Sequence, residues 1–130
     1  SDLLFKGAVR DTARSVYTGL IHIKPNAAHS QAFQTNRNLT LSEGAWAESV
    51  PNLEIETNEV KCSHASTVGS VDEDQKFYLE SRGVPPEIAE RLIVFGFFNE
   101  VIDRLPKAAD VESLRAAVNH KLNPEGDVAQ

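Results

Sequence analysis

Val60-Lys61-Cys62-Ser63-His64-Ala65-Ser66-Thr67-Val68-Gly69 is the last stretch of this chain that reads as strand. It holds the only cysteine, with a histidine two residues later. Val60 and the small or β-branched residues after the pair favour extended backbone. In a strand, side chains at i and i+2 share a face, so the thiol of Cys62 and the imidazole of His64 project together. A thiolate and an imidazole suit zinc, copper or iron, and they also suit nucleophilic catalysis. Two ligands do not fill a coordination shell, and a free cysteine is commonly a small buried hydrophobe. The pair therefore has to be read with its flanks.

Upstream, residues 1 to about 69 read as strands and turns. Leu20-Ile21-His22-Ile23 runs into Lys24-Pro25-Asn26-Ala27, Asn38-Leu39-Thr40-Leu41 into Ser42-Glu43-Gly44-Ala45, and Asn52-Leu53-Glu54-Ile55 into Glu56-Thr57-Asn58-Glu59. Each unit is a short alternating strand followed by turn formers. The loose spacing, without intervening helices, predicts solenoid coils that bury each face on the next. A β-sandwich is the competing reading, and the scarcity of Asn-Gly and Asp-Gly turns leans against it.

Downstream, from Val71, the period becomes helical. Asp72, with Gln75 three residues on, is placed to cap a helix through Phe77-Tyr78-Leu79 that stops at Gly83. Pro85 and Pro86 suit the first turn of a second helix, ended by Pro106. Its two apolar stripes are Ile88, Leu92, Phe95, Phe98, Ile102 and Val94, Phe97, Val101, Leu105. A helix apolar on so much of its circumference is expected to be covered on both sides, by its own chain or by a partner. Asp110 caps a third helix carrying Val111, Leu114, Val118 and Leu122. The predicted organisation is β coils over residues 1–70, a small helical subdomain over 71–123 and a frayed tail over 124–130.

Net charge is −6, which argues against nonspecific nucleic-acid binding through lysine and arginine. One cysteine excludes an internal disulfide and fits a reducing, cytoplasmic setting. No apolar run is long enough to span a membrane, no secretory signal opens the chain, and no phosphate-binding loop of the Gly-x-x-x-x-Gly-Lys-Ser/Thr type occurs. The start at Ser1 without Met suits a processed product or an expressed fragment.

Taken together, Gln34-Thr35-Asn36-Arg37-Asn38-Leu39, Leu53-Glu54-Ile55, Val60-Lys61-Cys62-Ser63-His64 and Phe77-Tyr78-Leu79-Glu80-Ser81-Arg82-Gly83 resemble the C-terminal region of the SufB/SufD family of iron–sulfur cluster assembly scaffolds. The Cys-Ser-His tripeptide and the Gln-Thr-Asn-Arg-Asn string are similar to the SufD branch. The resemblance covers residues 3 to 106. It implies a mainly β then α fold, namely the C-terminal coils of a right-handed parallel β-helix followed by a small helical subdomain. It implies pairing with a SufB-like scaffold through the end of the β-helix and binding of a SufC-like ATPase through the helices. It also implies a transient iron–sulfur cluster at the junction with SufB, none of it firmly held by this stretch alone. On that resemblance His64 is the cluster or metal ligand, and Cys62 is a neighbouring candidate whose role as ligand or buried filler stays open. Family members are several times longer, and an open coil end exposes strand edges and apolar surface, a hazard for self-association.

The expected function is thus a non-enzymatic scaffold. The rival is a thiol-dependent enzyme in which His64 activates Cys62, for which no third residue orients the base. A structural zinc module lacks four ligands at standard spacing. His22, His29 and His120 are read as structural, Glu54, Glu56 and Glu59 as a solvated face, and Trp46 as coil filler or edge cover.

Overall fold

The computed structural model of the chain describes residues 1–106 and 110–123. Five strands precede three helices: β1 (Asp2–Val9), β2 (Arg14–Ile23), β3 (Gln31–Thr40), β4 (Trp46–Ile55), β5 (Lys61–Ser70), α1 (Glu73–Ser81), α2 (Pro86–Ile102) and α3 (Val111–Leu122). The chain divides into two compact units, Ser1–Ser70 and Val71–Gln130. The predicted frayed tail lies outside the described residues.

In the first unit the strands alternate between two parallel sheets, one ordered β1-β3-β5 and the other β2-β4. Asp2 pairs with Phe33, Arg14 with Trp46 and Gln31 with Lys61. Each strand therefore joins the next but one, about thirty residues further along. The sequence predicts solenoid coils that each bury a face on the next; in the structure a strand bonds not to its successor but to the next strand but one. A parallel pair needs a long crossover between its members, and here the strand of the other sheet is that crossover. The turns stack as well. His29 and Glu59 both take left-handed backbone, φ 64° and 60°. The His29 amide donates to the Glu59 carbonyl at 2.9 Å. At the other side the Asp11 amide, also at positive φ, donates to the Ser42 hydroxyl oxygen at 2.9 Å.

The space between the sheets is more polar than the strand patterns suggested. Ala32, Gln34, Asn36 and Asn38, alternate residues of β3, are all buried, and from β2 so is Ile23. The Asn38 side-chain amide donates to Asn36 Oδ1 at 2.6 Å, and the Gln34 amide donates to the Tyr17 hydroxyl. Phe5 packs on Tyr17 with ring centroids 4.9 Å apart. Two glycines make room for these amides. A Cβ on Gly7 would sit 2.6 Å from Asn38 Oδ1, and one on Gly19 would collide with the Gln34 side-chain amide. Trp46 is exposed, with the Arg14 guanidinium 5.9 Å from its ring centroid, and does not fill a coil.

The helical unit follows its capping residues. Asp72 Oδ1 accepts from the amides of Asp74, at 2.9 Å, and Gln75, at 3.3 Å. After Ser81 the chain closes in a Schellman turn, with the Gly83 amide on the Glu80 carbonyl and the Val84 amide on that of Leu79. Gly83 has φ 87°, which requires glycine. Pro86 opens α2, which ends at Ile102, a turn before Pro106. Of its apolar residues Ala89, Val94 and Ile102 are buried, whereas Leu92 stays 50% exposed. Asp103, just past α2, holds Arg115 of α3 at 3.0 Å.

Two outcomes test this unit. Val94 is fully buried, so Val94→Ala should lower stability by about 2 kcal/mol through lost burial and a residual cavity, read as a shift in denaturant midpoint. Asp110 caps α3 by accepting from the Ser113 hydroxyl at 2.6 Å and the Ser113 amide at 3.0 Å. These bonds, the hydroxyl's first, hold its carboxyl below the usual carboxylate range. A depressed folded-state pKa means that the cap is fully effective above the unfolded value and is lost as pH falls through the lowered one. Hydrogen exchange at the Ser113 amide should stay slow down to strongly acid pH, and Asp110→Ala should abolish that protection at neutral pH.

Candidate functional site

Strand β5 is the outermost member of its sheet, bonded only to β3. In the ladder Cys62 stands beside Ala32, His64 beside Gln34, Ser66 beside Asn36 and Val68 beside Asn38. Because in-register neighbours on adjacent strands share a face, Cys62, His64, Ser66 and Val68 continue the row of buried β3 side chains. The row is covered over β3 and open over β5: the facing sheet holds only β2 and β4. Cys62 is a half-buried free thiol, and His64 is exposed. The sequence expectation that the two side chains share a face therefore matches the ladder.

Behind His64 lies a polar cluster; the sequence marks its Gln34, Asn36 and Asn38 as part of a family string and not as a buried face. Gln34 is 5% exposed, and its Oε1 has no hydrogen-bond partner among the described residues; neither does the buried Ser49 hydroxyl. Ser49 is in register with Tyr17, to which Gln34 donates. The available signal was the run Gln34-x-Asn36-x-Asn38, whose period of two marks one face of a strand, together with Gly7 and Gly19 on strands that otherwise alternate. Amides read as turn or surface residues by composition, so the pattern was masked.

Chemically, the open rung offers one soft sulfur and one imidazole nitrogen. Among the described residues no third His, Cys, Asp or Glu converges on them, so by themselves they form an incomplete metal shell. Among the described residues no carboxylate contacts His64 to orient it as a base toward the thiol. Of the other histidines, His29 lies 3.4 Å from Glu59 in the stacked turns, His120 sits in the last turn of α3, and His22 contacts Glu56.

An outermost parallel strand whose inward row carries Cys-x-His, followed by a capped helical unit, agrees with the comparison by sequence. Residues 1–97 match the family described as "SUF system FeS cluster assembly, SufBD core domain", and the chain belongs to that family. It is 45% identical over 130 residues to an iron–sulfur cluster assembly SufBD family protein of Mycobacterium leprae, covering 94% of this chain and 33% of that protein. It is 35% identical over 119 residues to the iron–sulfur cluster assembly protein SufD of Escherichia coli and 38% identical over 120 residues to SufD of Bacillus subtilis, each covering 92% of this chain and 28% of the relative. These relatives place the chain on the SufD side of the family, and the chain spans about a third of their length or less.

The geometry sets different expectations for the two side chains. In the native chain diethyl pyrocarbonate should modify the exposed His64 without denaturant. Alkylation of Cys62 by iodoacetamide should accelerate severalfold once denaturant opens the sheets. Peptide mass mapping over time reads both, and equal Cys62 rates before and after unfolding would show a thiol that the fold does not shield.

Proposed function

We propose that this chain is the C-terminal part of a SufD-like, non-enzymatic scaffold for iron–sulfur cluster assembly, with His64 as a ligand to the nascent cluster. The observation that carries the reading is the position of His64: exposed, on the free outer strand of a parallel sheet, in line with a buried polar row. Membership of the SufBD core family supports the cluster as cargo. In this reading the five strands are the last coils of a right-handed parallel β-helix; their thirty-residue register and alternation between two sheets support it.

The open edge of β5 is where a SufB-like scaffold pairs. Unpaired amides and carbonyls invite strand-to-strand association. Exposed Leu53, Ile55 and Val68, on the inward face with Cys62 and His64, supply apolar area for it. The cluster then forms between the chains, the imidazole giving one nitrogen and the partner the ligands that this chain lacks. Cys62, half-buried on the same row, is a further candidate ligand. An incomplete shell suits a scaffold, because a cargo held across a junction leaves when the junction opens. A SufC-like ATPase docks on the helical unit, where Ile88, Leu92 and Phe95 of α2 and Ala116 and Leu122 of α3 line a groove of about 620 Å³. No helix among the described residues is long and apolar enough to cross a membrane, and the cytoplasm is the proposed location.

The test is cluster formation by the full-length parent, assembled with its SufB- and SufC-like partners and loaded anaerobically. His64→Ala should cut bound iron and sulfide at least tenfold, since losing even an outer partner of a ligand costs roughly 10–100-fold. Its effect on stability should be about 1 kcal/mol or less, because the side chain is exposed. Cys62→Ser should match that loss if the thiol ligates and leave cluster content near normal if it is filler. Normal cluster content in a folded His64→Ala complex would refute the ligand assignment.

A further inference from the structure

On the opposite, outward face of the β2-β4 sheet, three ligand-bearing side chains meet. His22 and Glu54 are in-register neighbours in the parallel ladder. They alternate with Ile23 and Ile55, whose row faces inward, where Ile23 is buried. The ladder runs one residue beyond β4, where the Glu56 amide donates to the Ile23 carbonyl at 3.0 Å. All three positions are therefore fixed by backbone hydrogen bonds. His22 Nε2 contacts Glu56 Oε1. One ring nitrogen and one oxygen from each carboxylate lie within 4.8 Å of one another. The His22 and Glu56 side chains are 37% and 44% exposed, so an ion has a path in from solvent.

The geometry points to His22, Glu54 and Glu56 as a binding site for a divalent first-row transition-metal ion. Two carboxylates held this close repel each other. Among the described residues neither glutamate has a lysine or arginine as ion-pair partner. A divalent cation neutralises both at once. The imidazole is what separates this cluster from an acidic surface patch. Magnesium and calcium take oxygen ligands almost exclusively, whereas a mixed nitrogen and oxygen set suits zinc, manganese or ferrous iron. Three protein ligands leave further positions to water, so the ion is exchangeable rather than structural. The site uses neither Cys62 nor His64 and stands independently of the cluster reading.

Titration of the full chain with Zn²⁺ alone tests it, in a Cys62→Ser/His64→Ala background that removes the pair on β5. One equivalent should bind saturably, and His22→Asn or the pair Glu54→Gln/Glu56→Gln should weaken binding at least tenfold. Mg²⁺ at a hundredfold excess over Zn²⁺ should not compete. On the unsubstituted chain, substoichiometric Mn²⁺ should broaden the His22 ring proton signals before those of His29 and His120, which gives an answer even if a variant misfolds. Absence of saturable Zn²⁺ binding, binding unaffected by His22→Asn, effective competition by Mg²⁺, or broadening that spares His22 would each overturn the assignment.

Discussion

The parallel ladder with its thirty-residue offset is the constraint on which the β unit depends. Each strand finds its hydrogen-bond partner only after the chain has crossed to the other sheet and returned. That single rule places Cys62 beside Ala32 and His64 beside Gln34, and it sets His22 against Glu54 on the outer surface. Side chains about thirty residues apart become neighbours by backbone geometry alone. Neither cluster needs a long flexible loop to assemble it.

The ladder also governs how the interior is filled. A row of Gln34, Asn36 and Asn38 within a sheet pair is costly unless its amides are hydrogen-bonded. Asn38 and Asn36 meet this by bonding each other, and Gln34 by reaching Tyr17, while Gly7 and Gly19 leave room for them. Gln34 Oε1, on the rung that holds His64, and the Ser49 hydroxyl of the other sheet remain without partners among the described residues. The open edge of β5, one strand out from Gln34, is the surface on which the proposed scaffold role rests.

The helical unit obeys a different, more local logic. Asp72 and Asp110 satisfy amides that no helix can satisfy internally, and Gly83 ends α1 because its backbone sits where a side chain would strain. Packing is less complete: α2 buries Ala89, Val94 and Ile102 but leaves Ile88 and Leu92 on a groove beside α3. The two stripes read along α2 are therefore not both core.

Local signals in the sequence were enough for the change from strand to helix near Val71, the caps at Asp72 and Asp110, the stop at Gly83 and the shared face of Cys62 and His64. Each depends on residues within a few positions of one another, so composition and spacing carry the information. The full span of β3 is hidden, because Gln34, Asn36 and Asn38 put amides where an apolar period is expected. The meeting of His22 with Glu54 and Glu56 was hidden too, and those glutamates read as a solvated face. Only the tertiary structure decided these, because register between strands thirty residues apart is set by turn geometry and ladder pairing, and no local pattern of side chains encodes it.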